Sequence, residues 1–295
     1  MNKILFLIPL TAGAAFAANA AETQTSPDGR VQVEFALTQS GTPTYSVTFG
    51  GEQIIKPSEM GFRLKGTEDL DKGFRLDKVP HDSKDETWTP VWGENNTIRD
   101  NCNIMTVELT QPASKRRMDI EFRVYDDGVG FRYILPDKQK GGKITITDEL
   151  TRWSMGGDYT AWWIPGDYDT QEYEYTKSKL SEIRGLSTQE FMSNVSSSRF
   201  SPTGVQTSLM LKTPSGKYVN LHEAQLIDFP AMHLDLNDTT LTFKSHLTPM
   251  PDGTLATVDT PWKSPWRVVM TGDKSTDILA SNIIYNLNDP CALED

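Results

Sequence analysis

Cysteine and histidine are scarce: the 295 residues hold 2 Cys and 4 His. No CxxC pair, no HExxH helix and no two histidines at ligand spacing occur, so a zinc or redox centre built from these side chains has no support. A GxSxG elbow and a phosphate-cradling glycine loop are also missing, which removes serine-hydrolase and nucleotide chemistry. Basic runs are absent and the formal net charge is −11, so nucleic acid is not the expected partner. Helical periodicity is nearly absent. After the first residues, no apolar run is long enough to enter a membrane.

What is present begins with a leader. Residues 1–20 carry Lys3 as a short positive start, an apolar stretch from Ile4 to Phe16, and Ala18-Asn19-Ala20 as a small-x-small cleavage site. This is the pattern of a signal peptide, so the mature chain is expected to begin near Ala21 and to reside in the periplasm. No cysteine stands at the cleavage point, so a lipid anchor is not expected. At the other end, residues 288–295 (Asn288 to Asp295) have linker character. Cys102 and Cys291 could pair after export or remain two separate buried thiols, and spacing does not choose.

Between these ends, short β-type runs alternate with turns. Val31–Leu37 follows Ser26-Pro27-Asp28-Gly29, and Thr44–Phe49 passes through Gly50-Gly51 into Gln53–Ile55. Ile120, Phe122 and Val124 alternate within Met118–Tyr125, and Asp126-Asp127-Gly128 turns into Val129–Leu135. Period-2 segments separated by such turns predict antiparallel strands. Gln206–Lys212, Tyr218–Leu221, Ala231–Leu236, Thr239–Lys244, Trp266–Met270 and Asn282–Leu287 continue the series. One helix is expected, Asp277–Ser281, with Ser275 or Thr276 as its N-cap. The fold class is therefore all-β: a large antiparallel β-sandwich with few short helices, one domain over residues 21–287.

The densest chemistry lies in Ala161–Leu186, where two tryptophans, three tyrosines and five carboxylates share one window. Neighbours in a strand face opposite sides, so only one of Trp162 and Trp163 can line the core while the other offers a face for a sugar ring. Pro165-Gly166 ends that strand and leaves Asp167, Asp169 and Glu172 in a loop. They are close enough in sequence to share a hard cation through oxygen ligands, although a solvated acidic turn explains them as well. Carboxylate pairs also suit glycoside cleavage, but their separation is not legible here. His222-Glu223 reads as a structural pair at a strand end, and Trp88 and Trp92 as packing aromatics. The run Ser193–Ser198 has the donors and acceptors of a binding loop, with Asn194 as its candidate substrate contact.

Taken in order, Glu86-Thr87-Trp88, Pro90-Val91-Trp92-Gly93, Asp127-Gly128-Val129-Gly130-Phe131-Arg132-Tyr133, Trp163 to Tyr168, Glu172-Tyr173, Leu180 to Leu186 and His222-Glu223-Ala224 carry a resemblance. The chain resembles the N-terminal domain of glycoside hydrolase family 97, exported bacterial α-glucosidases and α-galactosidases. The resemblance implies a three-part enzyme: this β-sandwich, a catalytic (β/α)₈ barrel that residues 288–295 would lead into, and a small C-terminal β-domain. It implies a Ca²⁺ ion held mostly by barrel glutamates with one glutamate from the N-terminal domain, and Glu172 matches that position. It implies an oligosaccharide substrate, an α-glucoside or α-galactoside, and no catalytic residue within this chain. A free-standing periplasmic carbohydrate-binding module, using the Trp162/Trp163 strand and the acidic loop, stays open beside it. So does a purely structural sandwich.

Overall fold

The structure is a computed structural model that describes residues 21–137, 142–187 and 196–292. Two large antiparallel sheets face each other. The eight-stranded sheet runs, in spatial order, Glu22–Thr25, Val31–Leu37, Pro43–Phe49, Glu52–Glu59, Arg152–Met155, Thr242–Leu247, Met232–Asn237 and Gly204–Val205. The main path of the 11-stranded sheet runs Thr176–Lys179, Thr160–Trp163, Leu209–Lys212, Tyr218–Ala224, Trp266–Gly272, Gly128–Leu135, Arg116–Tyr125, Ile98–Gln111 and Arg75–Lys78. A three-stranded sheet of Ala256–Asp259, Lys143–Glu149 and Phe62–Leu64 closes one end. The all-β sandwich expected from alternation is what forms, and the leader at residues 1–20 lies outside the described residues.

The core lies between the two large sheets. Val33, Val47 and Tyr45 from one meet Phe122, Phe131 and Val107 from the other in a single apolar cluster, with Tyr45 and Phe131 ring centroids 4.7 Å apart. Strand Val31–Leu37 buries every second residue at its start, as one covered face requires. Strand Trp266–Gly272 is buried throughout. Its outer face is covered by the helices Ser275–Ala280 and Ile283–Leu287, which pack Ile278, Ile283 and Leu287 onto Trp266, Val268 and Met270. Gly130 is the contact that allows this, because a Cβ there would stand 2.5 Å from Leu287 Cδ1.

Three expectations need correction. Asn282–Leu287 is not a strand; residues Ile283–Leu287 form a helix whose positions 283 and 287, one turn apart, point inward while Tyr285 is 50% exposed. A short β-branched run cannot declare which of the two periods it follows. The helix at Leu180–Ser187, 3₁₀ then α, was not expected at all. The helix near Asp277 spans Ser275–Ala280 with Lys274 at its N-cap, and Asp277 accepts from the Asp273 and Lys274 amides. Two side-chain readings also change: Cys102 is buried and Cys291 exposed, both free, and Trp92 is 81% exposed rather than packed.

One buried charge links the layers. Arg267, 1% exposed, donates to Glu149 through Nε at 2.8 Å and Nη2 at 2.6 Å, and to Glu223 through Nη1 at 2.7 Å. Burial works against its charge, yet the carboxylates, Glu149 foremost, hold its pKa above the usual arginine value. Glu223 is thus structural, as its strand-end position suggested. Arg267→Ala would strand two buried carboxylates and is expected to cost about 3–5 kcal/mol. Urea unfolding with a lowered midpoint and unchanged slope checks this; a near-wild-type midpoint would contradict it.

Candidate functional site

Strand Thr160–Trp163 pairs with Thr176–Lys179 on one side and Leu209–Lys212 on the other. Alternation divides its two tryptophans as expected. Trp163 is buried and donates from Nε1 to Ser178 Oγ at 3.0 Å. Trp162 is half-buried on the outer face, its ring stacked with Tyr218 at 6.4 Å and capped by Lys177 Nζ at 5.2 Å.

Beyond Trp163 the chain crosses toward the second sheet. Gly166 and Gly204 both press on the Phe200 ring, where a Cβ at either would lie within 2.4 and 2.6 Å of ring carbons. Phe200 stacks in turn on His246 at 3.9 Å, and Tyr168 stacks on the same imidazole and hydrogen-bonds its Nε2. The loop therefore starts from a fixed aromatic stack. Burial lowers the pKa of His246 and of His233 beside it, so the stack is built from neutral rings.

Asp167 organises the loop itself. Its carboxylate is 3% exposed and accepts five hydrogen bonds. Oδ1 takes the amides of Asp169 (2.8 Å), Thr170 (3.3 Å) and Ser198 (3.0 Å). Oδ2 takes the hydroxyls of Tyr173 (2.6 Å) and Ser197 (2.7 Å). Burial alone would raise its pKa, but these donors, Tyr173 and Ser197 first, hold it well below the usual carboxylate range. Asp169 is also committed, accepting from Ser196 and Ser198 hydroxyls at 2.9 and 2.8 Å.

Glu172 differs from both. It is exposed, its amide is held by Thr170 Oγ1 at 3.0 Å, and its carboxylate has no partner among the described residues. Of the two readings open for Asp167, Asp169 and Glu172, a shared cation or an acidic turn, the hydrogen bonds of Asp167 and Asp169 are those of a turn. Two of the three are spent on loop structure, and no group of three His, Cys, Asp or Glu side chains is poised for a metal among the described residues. Glu174, two residues on, is likewise exposed with no partner for its carboxylate among the described residues. Asn194 lies outside the described residues, although Ser196, Ser197 and Ser198 of the same run are the donors to Asp169 and Asp167. Sequence reasoning missed the role of Asp167. Its local bonds to Asp169 and Thr170 are an Asx-type turn signal, but its serine donors are 30 residues away.

Comparison with known proteins gives this arrangement a context. The description "Glycosyl-hydrolase 97 N-terminal" matches residues 25–290. A retaining alpha-galactosidase of Bacteroides thetaiotaomicron is 25% identical over 92% of this chain and 42% of its own length. A probable retaining alpha-galactosidase of Streptomyces bingchenggensis is 26% identical over 86% of this chain and 35% of its own. A glycoside hydrolase family 97 enzyme from Pseudoalteromonas, solved with acarbose, superposes with a TM-score of 0.82 at 33% identity, covering 93% of this chain and 39% of that one. The chain thus spans well under half the length of these relatives.

Because the Asp167 pKa is depressed in the folded state, its contribution is present above the ordinary carboxylate pKa, near 4, and is lost as pH falls below it. Asp167→Asn is expected to destabilise by about 1.5–3 kcal/mol at neutral pH and to flatten the acid limb of the stability curve. Urea midpoints measured from pH 7 down to pH 3 check both, and an unchanged acid limb would refute the assignment.

Proposed function

The chain belongs to the glycosyl-hydrolase 97 N-terminal family, and on that footing we propose that it is the N-terminal domain of an exported, exo-acting α-glycosidase of the α-glucosidase type. It works in the periplasm against an oligosaccharide, as partner to a catalytic (β/α)₈ barrel. The observation that carries this reading is the contrast within the acidic loop: Asp167 is saturated and Asp169 holds two serines through Oδ2, while Glu172 and Glu174 are exposed and unpartnered among the described residues, and of these two the family resemblance singles out Glu172. Glu172 contributes one oxygen ligand to a Ca²⁺ ion whose remaining ligands come from the barrel. The ion would supply fixed positive charge beside the substrate. The chain's own residues hold Glu172 in place: Asp167 and Gln206 fix the loop backbone, and the Phe200–His246–Tyr168 stack fixes its base. Such a loop suits a pocket formed between domains.

The gluco-type assignment is supported by the acarbose-bound neighbour at 33% identity, against 25% for the galactosidase of Bacteroides thetaiotaomicron. The catalytic acid and base belong to the barrel in this reading. The chain alone is therefore expected to leave a chromogenic α-glucoside intact. In calorimetry it is expected to bind Ca²⁺ no tighter than about 10⁻⁴–10⁻³ M, in the range of weak extracellular sites. Glu172→Gln should abolish that binding; micromolar binding that survives the substitution would defeat the proposal.

A further inference from the structure

Exposed apolar side chains are few in this chain, and they are not scattered. Among the described residues eight large hydrophobics stand exposed, and six of these lie on or beside the helix Ile283–Leu287: Val91, Trp92, Leu226, Ile227, Leu279 and Tyr285. A folded surface rarely keeps such a cluster in water without a use for it.

Three anchors bring the six together. Trp88 Nε1 donates to Asn286 Oδ1 at 2.9 Å and Asn95 Nδ2 to Asn282 Oδ1 at 3.1 Å, which ties the segment carrying Val91 and Trp92 alongside the helix. Trp92 is three residues from Asn95, so chain length keeps it within roughly 10 Å of that anchor. At the C-terminal end of the helix the Gln225 amide donates to Asn288 Oδ1 at 3.0 Å. Gln225 Nε2 donates to Asp289 Oδ2 at 2.7 Å, and the Asp289 amide to Gln225 Oε1 at 2.6 Å. Leu226 and Ile227 follow directly. Tyr285 stands between the two ends, and Leu279 sits in the last turn of the preceding helix, Ser275–Ala280. From Asn282 to Asn288 the helical rise is only about 9 Å, well inside the ~800 Å² footprint that one partner leaves in a standard interface.

Two observations indicate what covers the cluster. The first is the path of the main chain. Asn288 and Asp289 lie within it, the match to the N-terminal family description ends at residue 290, and only 42% and 39% of two of the relatives is covered. In a protein built like them the polypeptide continues from this patch, and a domain tethered a few residues away meets it at millimolar effective concentration. The second is strand direction. Thr160–Trp163 is antiparallel to Leu209–Lys212, which is antiparallel to Tyr218–Ala224, so the first and third strands run the same way. Trp162, Met210 and Asn220 share a row. The acidic loop beyond Trp163 and the Gln225–Ile227 segment beyond Ala224 therefore leave the sheet at the same end, about 10 Å apart by two strand spacings. One body can meet both.

We propose that this face, with Trp92, Tyr285 and Ile227 as its apolar anchors, is the surface on which the catalytic barrel docks, so that one domain covers the exit helix and the acidic loop together. The proposal rests on the reading of the chain as an N-terminal domain and adds the contact that holds the two domains in place. The test exchanges the matching N-terminal part of the Pseudoalteromonas family 97 enzyme for residues 25–290 of this chain and follows thermal unfolding. Trp92→Ser and Ile227→Ser should each lower the midpoint of this chimera by about 2–4 °C. In the isolated chain, where these side chains are 81% and 64% exposed, the same substitutions should leave the midpoint unchanged. Midpoints of the chimera indifferent to both substitutions, or lowered equally in the isolated chain, would overturn the proposal. Turnover of an α-glucoside reports on the calcium reading separately: a chimera indifferent to Glu172→Gln defeats that reading, while the midpoint shifts still support docking. Sedimentation of the isolated chain should give a monomer. A concentration-dependent dimer dissolved by the two substitutions would assign the face to a second copy and overturn the proposal, whether or not the chimera folds.

Discussion

The Arg267 pairing is the constraint on which the rest of the sandwich depends. Arg267 sits on a strand whose neighbours are Gly128–Leu135 and Tyr218–Ala224, opposite Phe131 and Glu223. Its bidentate partner Glu149 ends a strand of the small sheet, and Thr151 donates to the same carboxylate at 2.8 Å. Tyr133 joins through Thr151, and its hydroxyl also accepts from the Gly61 amide. A buried ion pair is weak evidence of net stabilisation, since desolvation offsets most of the attraction. Its consequence is specificity. Three separate segments must arrive in register, or a charge is left without a partner in the apolar interior.

Asp167 repeats that logic at the rim with hydrogen bonds in place of an ion pair. A carboxylate with five donors tolerates no rearrangement of the loop, because each freed donor would have to be satisfied again. Both devices use acidic residues as internal fasteners. The consequence for function is a division of labour among the carboxylates of one window. Asp167, the buried one, holds the loop backbone, Asp169 holds two serine hydroxyls, and Glu172 and Glu174 stand in solvent without a partner among the described residues.

Alternation made the outer strands of the sandwich legible, because one face of each is wet. At the middle of the 11-stranded sheet the strand expected at Trp266–Met270 forms as Trp266–Gly272, although it is covered on both sides and its sequence is an apolar run without period. Alternation failed at His81–Trp88, which is almost wholly exposed and pairs its backbone with strand Ile98–Gln111. No apolar pattern marks such a strand. Ile283–Leu287 failed because five residues hold too little periodicity to separate helix from strand.

The candidate site was legible in part, and the missing part is informative. Spacing alone put Asp167, Asp169 and Glu172 together as equals. Their difference came from the serines at 196 to 198 and from Tyr173, contacts that no local pattern announces. Having nothing to hold sets Glu172 apart from Asp167 and Asp169 but not from Glu174, which is also exposed and unpartnered among the described residues. A serine thirty residues away that donates to Asp167 leaves no mark in local spacing, so the carboxylates of this loop could be told apart only once the chain had folded.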